Sequence, residues 1–196
     1  AVKKEIVNSY ADAIEEAGLT PTVLDVDYFA LENMYEANYA DDAEHGVTGI
    51  IHIGAQYTSI TLLQNGISIF TGDLSVGGAY FTDSLARQLG VSVEAAETFK
   101  TTAVLDGNKD LDLESTLRPT SEELAEEIRR TVSLYGAFPA EDGDGLKVIY
   151  ISGGGAKLAG LRTLLEDRMA VPVRLSEPFR RFTLNKNIDR EFLTES

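Results

Sequence analysis

Two stretches pair a strand-like run with glycine, and they hold the residues whose chemistry stands out. In the first, the apolar run Ile50-Ile51-His52-Ile53 stops at Gly54 and, after Ala55-Gln56-Tyr57, restarts with Thr58-Ser59. This reads as a strand, a tight phosphate-sized turn and a second strand. Gly54 has no Cβ, so its backbone can come close to a ligand. An ordinary β-turn without a ligand fits the same residues. In the second stretch, Val148 to Ile151 runs into Ser152-Gly153-Gly154-Gly155-Ala156-Lys157, where a strand enters a helix with Lys157 at the helix start. Three consecutive glycines carry an entropic cost, which makes a merely flexible connection unattractive. Glu97 and Lys100, three residues apart, share a helix face. As a plain surface ion pair they contribute only ~0.2–0.5 kcal/mol.

Other chemistries find little support. The chain has no cysteine, which removes disulfides, thiolate zinc sites and cysteine nucleophiles. Its two histidines, His45 and His52, stand in no recognisable nucleophile context, so a Ser-His-Asp site has no basis. Asp106-Gly107-Asn108-Lys109-Asp110-Leu111-Asp112 imitates the start of a calcium loop, but Leu111 replaces the required glycine and Leu117 the bidentate glutamate. A solvated acidic loop is the better account.

The elements that position these residues follow from periodicity. Val2, Ile6, Tyr10 and Ile14 stripe a first helix that Gly18 stops, Thr22 to Val26 reads as a short strand, and Tyr28 to Asn38 as a second helix. The charged break from Asp41 to Gly46 marks a boundary. Three strands follow, Thr48 to Ile53, Thr58 to Gln64 and Ile67 to Leu74, with the hairpin signal Asn65-Gly66 joining the last two into an antiparallel meander. Gly77-Gly78 opens a helix with Phe81, Leu85 and Leu89 on one face and Gly90 at its end. Ser92 caps the next, striped by Ala96, Phe99 and Ala103.

Residues 104 to 118 read as a polar insert. Pro119, with the capping-box pair Thr120 and Glu123, starts a long amphipathic helix carrying Leu124, Ile128, Val132 and Tyr135. An acidic loop, Glu141 to Gly145, precedes the strand Val148 to Ile151. A helix with Leu158, Leu161, Leu165 and Met169 follows, then a last strand, Val171 to Leu175. The tail from Pro178 onward carries no readable signal. The resulting expectation is an α/β fold in which a mixed sheet is packed by helices.

A length of 196 residues fits one domain plus a piece of another, since domains usually span roughly 100–200 residues. The net charge of −15 argues against nucleic acid and against adsorption to anionic membranes. It leaves ATP open, because backbone amides bind phosphate locally whatever the overall charge. No stretch reaches the ~20 apolar residues of a membrane span, and no export signal is visible.

Four pieces together resemble the actin, sugar kinase and heat-shock ATPase superfamily, and within it most closely the PilM family of type IV pilus assembly. They are Ile53-Gly54-Ala55-Gln56-Tyr57-Thr58-Ser59, Val76-Gly77-Gly78-Ala79-Tyr80-Phe81-Thr82, Glu94-Ala95-Ala96-Glu97-Thr98-Phe99-Lys100, and the run Ile151 to Leu161 with Val171-Pro172-Val173 and Pro178-Phe179. Ala17-Gly18-Leu19, Asp25-Val26-Asp27 and Ala30-Leu31 are similar to the end of that family's first domain.

The resemblance implies an actin-like ATPase (ribonuclease H-like) domain at 47–196, with an inserted small lobe at about 91–119, and a C-terminal remnant of the first domain at 1–46. It implies that Gly54, Ala55, Gln56, Tyr57 and Thr58 meet phosphates through backbone N–H groups and the Thr58 hydroxyl. Glu97 and Lys100 face ribose and base, and Gly153, Gly154, Gly155 and Lys157 face adenine. Where the superfamily has an aspartate that reaches magnesium through water, this chain has His52, which suits magnesium poorly. His52 then either meets a phosphate or is a hydrogen-bonded core histidine.

The implied function is a cytoplasmic, ATP-binding scaffold peripheral to the inner membrane, with no catalytic residue assigned. It would bind the tail of a PilN-like membrane partner and other pilus assembly proteins, and homo-oligomers stay open. The alternatives are a polymerising FtsA-like cell-division ATPase and, third, a sugar or acetate kinase domain. With one wall of the cleft absent, the chain by itself is expected to bind ATP weakly.

Overall fold

The computed structural model describes residues 2–42, 45–105, 111–135 and 145–183. Its centre is a five-stranded sheet in the order β3-β2-β1-β4-β5. Strands β1 (Val47–Ile53), β2 (Thr58–Gln64) and β3 (Ile67–Leu74) form the antiparallel meander. Asn65 and Gly66 join the last two at φ 52° and 81°, the left-handed pair that a type I′ hairpin requires. On the other side of β1, β4 (Leu146–Ser152) and then β5 (Val173–Leu175) run parallel.

β1 is therefore central and covered on both faces, as its continuous apolar run requires. Ile51 and Ile53 of β1, Ile60 and Leu62 of β2, and Ile149 and Ile151 of β4 point to one face. They pack there with Phe81 and Leu85 of α3 (Gly78–Leu89), Ala96 and Phe99 of α4 (Val93–Thr102), Leu124, Ile128 and Val132 of α5 (Leu113–Leu134), and Leu161, Leu165 and Met169 of α6 (Leu161–Met169). Burying each such side chain stabilises by roughly 1.5–3 kcal/mol. Ile50, Leu63 and Tyr150 point to the opposite face and pack on Tyr35 and Tyr39 of α2 (Asp27–Tyr39). The helix that precedes it, α1 (Lys4–Glu16), buries no residue, and its Ile6 and Tyr10 are exposed.

Several expectations need correction. Residues 19–26 form no strand: no neighbouring strand supplies hydrogen bonds, and Leu19, Val23 and Leu24 stay exposed. α5 begins at Leu113, so the last residues of the expected insert are helical. Its cap is Asp112, whose carboxylate accepts from the Ser115 N–H at 3.0 Å, and Pro119 lies inside the helix. Burial of Thr116, Leu117 and Thr120 in those first turns offsets the ~3 kcal/mol penalty of an interior proline. Thr120 donates to Ser84 Oγ at 2.9 Å and caps nothing.

Ala103 is the exposed left-handed residue after α4, φ 58°, and is no part of its buried stripe. Tyr135 falls just past α5, half exposed, and stacks on Phe70 with centroids 3.9 Å apart. Lys157 and Leu158 precede α6; Lys157 ends a 3-10 turn, Gly154–Lys157. The calcium-like residues 106–110 and the acidic residues 141–144 lie outside the described residues.

The tail carries more than its sequence indicated. Tyr39 Oη accepts from the Glu177 N–H at 2.7 Å, and Asn38 both donates to Pro178 O at 3.0 Å and accepts from Arg181 N–H at 3.2 Å. The Arg180 guanidinium lies 5.0 Å above the Tyr39 ring, and Arg181 pairs with Asp41 at 2.7 Å. These contacts hold the end of α2 against the segment that follows β5.

Candidate functional site

Parallel strands end together, and the ends of β1 and β4 bring the two glycine stretches side by side. His52 is in register with Ser152. Open α/β sheets bind ligands in the crevice beyond such strand ends. The turn after β1 is closed by the Gly54 N–H donating to Tyr57 O at 2.9 Å. Its outer carbonyls are also engaged: Gly54 O accepts from Gly78 N–H and Ala55 O from Ala79 N–H, each at 2.8 Å. The first amides of α3 thus clamp the turn from behind. Gly77 permits this approach, since a Cβ there would lie 2.7 Å from Ala55 O.

With Gly54 O and Ala55 O turned toward α3, the N–H groups of Ala55 and Gln56, trans to those carbonyls, point away from it, and the amides of Ala55, Gln56 and Tyr57, all exposed residues, have no partner among the described residues. Successive N–H groups of a turn that lack partners can form an anion-binding concavity needing no basic side chain. Thr58 differs from the expectation. It is fully buried and its hydroxyl donates to Val76 O at 2.6 Å, so it braces the turn from below and does not line its open side.

The three glycines after β4 have three distinct environments. Gly153 has φ +84°, and a Cβ on it would sit 2.5 Å from Ile53 O. A Cβ on Gly155 would fall on Ile53 Cγ2. Both are required by the close passage of this loop over the end of β1. Gly154 is exposed and a Cβ on it would meet nothing within 4 Å, which leaves a flat, open stretch of backbone. Lys157 is exposed three residues further on.

Cross-strand register builds a polar row that the sequence pattern hides. Asp73, Ser59, His52 and Ser152 are partners across β3, β2, β1 and β4, on the same sheet face as α2. Ser59 Oγ donates to Asp73 Oδ1 at 2.9 Å, and His52 Nδ1 lies 3.0 Å from Ser152 Oγ. Desolvation lowers the His52 pKa, and the nearby Asp27 carboxylate at the start of α2 pulls it the other way. Burial, reinforced by Asp73, pushes the Tyr28 hydroxyl far above its ordinary value. The sequence assigns Ser152, Asp73 and Asp27 no role beside His52, because only strand register and the α2 docking bring them to it.

Glu97 and Lys100 are not an isolated surface pair. Lys100 Nζ, with its side chain 10 % exposed, donates to Glu97 Oε2 at 2.7 Å, Thr82 Oγ1 at 2.8 Å and Gly78 O at 3.0 Å. An ammonium has three protons, so all are used. Lys100 therefore fixes α4 to the first turn of α3 and has no donor left for a ribose or base. Burial raises the Glu97 pKa, but donation from Lys100 and Thr82 outweighs it and holds the carboxyl below its ordinary value. Glu97, half exposed, borders an open concavity with Ala79, Thr82 and Glu94.

Magnesium is the ion that nucleotide cleavage sites use, and the donors at this strand end fit it poorly. It prefers hard oxygen ligands in octahedral geometry. His52 offers nitrogen, and Asp73 Oδ1 is engaged by Ser59. Among the described residues no three His, Cys, Asp or Glu side chains converge as a metal site, and no helix is long and apolar enough to cross a membrane.

Comparison with known proteins places this geometry in context. A family model described as "Type IV pilus assembly protein PilM" matches residues 1–196. The solved PilM-PilN type IV pilus biogenesis complex contains a chain that is 31% identical, with a TM-score of 0.81. The match covers 99% of this chain and 54% of that one. EutJ, an ethanolamine utilization protein from Carboxydothermus hydrogenoformans, is 23% identical at a TM-score of 0.61, over 84% of this chain and 54% of its own. MreB5 of Spiroplasma citri bound to ADP is 15% identical at 0.63, over 92% and 63%. The cell division protein FtsA of Staphylococcus epidermidis is 25% identical over 91% of this chain and 41% of its own length. These matches identify an actin-like fold, and the chain spans about half the length of such relatives.

Proposed function

The chain belongs to the PilM family of type IV pilus assembly proteins, and from that premise we propose that it supplies one wall of an ATP-binding cleft in a pilus assembly scaffold. The observation that carries this reading is the meeting of the two glycine stretches at the ends of β1 and β4. Three amides without a partner among the described residues, at Ala55, Gln56 and Tyr57, lie in an exposed turn there beside the open backbone of Gly154. The amides hold phosphate oxygens, Gly154 lies under the adenine with Lys157 nearby, and the Glu97 carboxylate faces the ribose. Thr58, Gly153, Gly155 and Lys100 hold these groups in place. At the strand ends Ser152 and His52 are engaged with each other, and the role read for this site is to hold nucleotide.

Residues 47–196 are then the second actin-like domain, with the inserted lobe at about 91–119, and residues 1–46 are the last part of the first. The uncovered apolar residues Ile6 and Tyr10 of α1 support that division, because such a stripe needs a partner surface. The scaffold works in the cytoplasm, peripheral to the inner membrane, and its full-length form engages the cytoplasmic tail of a PilN-like partner. Support for the partner comes from the 31% identical chain, which was solved in a complex with PilN. Co-purification of the full-length protein with a synthetic tail peptide tests this reading, and no binding at high micromolar peptide contradicts it. Filament formation with rapid ATP turnover would instead favour the FtsA-like alternative.

A further inference from the structure

His52 lies at the end of β1, beside the turn whose amides are open, and its surroundings say what it does there. The ring is wedged between the two glycine loops: a Cβ built on Gly54 would lie 3.7 Å from His52 Nε2, and one on Gly153 would lie 3.0 Å from Cε1. The Nε2 edge therefore faces the turn whose amides are open. On the other edge, Nδ1 is 3.0 Å from Ser152 Oγ. Either group can donate in this pair, and we take the Ser152 hydroxyl as donating to Nδ1. That leaves the proton on Nε2, which has no partner of its own among the described residues.

Resting on the nucleotide-binding reading above, we propose that His52 replaces a divalent cation at this turn. Its Nε2–H donates to an anionic phosphate oxygen, and ATP binds here without Mg2+. Charge supports this reading. A carboxylate beside the phosphates adds a negative charge that a cation must offset; a neutral imidazole adds none and brings a donor. Half-burial keeps the imidazole neutral, and of the nearby acids Asp73 is held by Ser59 while Asp27 sits across at the start of α2. Imidazole nitrogen is a poor magnesium ligand, so the same residue that removes the need for the ion also removes its anchor. Ser152 acts as a positioning residue that sets the tautomer.

The test is calorimetric titration of ATP into the full-length protein, once with millimolar Mg2+ and once with EDTA. The expected affinities agree within about threefold, less than the tenfold that 1.4 kcal/mol represents. His52→Asp is expected to lower the affinity in EDTA by about tenfold or more and to recover it with Mg2+. His52→Gln, a neutral donor, is expected to keep binding in EDTA. Nitrogen-15 shifts of the His52 ring report the Nε2–H tautomer, which Ser152→Ala is expected to scramble. ATP binding only with Mg2+, or a His52→Asp variant indifferent to Mg2+, overturns the role given to His52 while leaving the nucleotide site standing. No ATP binding in either condition overturns both.

Discussion

The two faces of the sheet are built differently. One is aliphatic, six isoleucines and leucines from β1, β2 and β4 lying under residues from α3 to α6. The other carries α2 over a cluster of Tyr35, Tyr39 and Tyr150, and the same face ends in the polar row Asp73, Ser59, His52 and Ser152. Aliphatic packing has no orientation to preserve beyond shape, so the first face provides stability. Tyrosines and hydrogen-bonded polar groups have direction, so the second face fixes where α2 and the segment after β5 sit relative to the strand ends. Changes on the first face should lower stability everywhere, and changes on the second should act on docking and ligand.

The largest expected effect is on the first face. Ile51→Ala, at a fully buried position, is expected to lower unfolding free energy by about 2–5 kcal/mol in chemical denaturation. Gly155→Ala places a methyl on Ile53 Cγ2, an overpacking expected to cost about 1–3 kcal/mol in the same assay. On the second face, Tyr39→Phe removes the acceptor of the Glu177 N–H and is expected to cost about 1 kcal/mol. Its signature is local: faster hydrogen exchange at Glu177 and Arg181, with β1 and β2 unchanged. An equal rise in exchange across the whole sheet would erase the distinction between the faces.

Gly154→Ala sharpens the comparison from the other side. The position is open, so stability is expected to stay within about 0.5 kcal/mol while ATP affinity falls. The smallest effect is pH-dependent. His52 has a folded pKa below its ordinary 6.5, so below that value the unfolded chain binds the extra proton more readily than the folded one. Stability is therefore full above about pH 6.5 and declines as pH falls toward the folded pKa. His52→Gln should flatten that slope in denaturation midpoints measured across this window.

This contrast also explains what could be read in the sequence. The meander, its Asn65-Gly66 hairpin and the apolar stripes of α3 to α6 follow local periodicity, and the two glycine stretches announce themselves by composition. Long-range partners decide the rest. The residues from Thr22 to Val26 have strand composition and no strand to pair with. Pro119 and Thr120 carry a helix-start signal that burial of Thr116 and Leu117 overrides. Lys100 looked available until three acceptors, two of them on α3, proved to fill its ammonium. The polar row exists only through strand register, so no sequence window contains it.

The central claim is that the amides of the exposed turn after β1 hold nucleotide phosphate. Amide chemical shifts of the full-length protein, recorded while ATP is added, test it most directly. The account predicts saturable shifts at Ala55, Gln56 and Tyr57, accompanied by Gly154. Saturable ATP binding that leaves those amides unmoved and shifts residues elsewhere would contradict it.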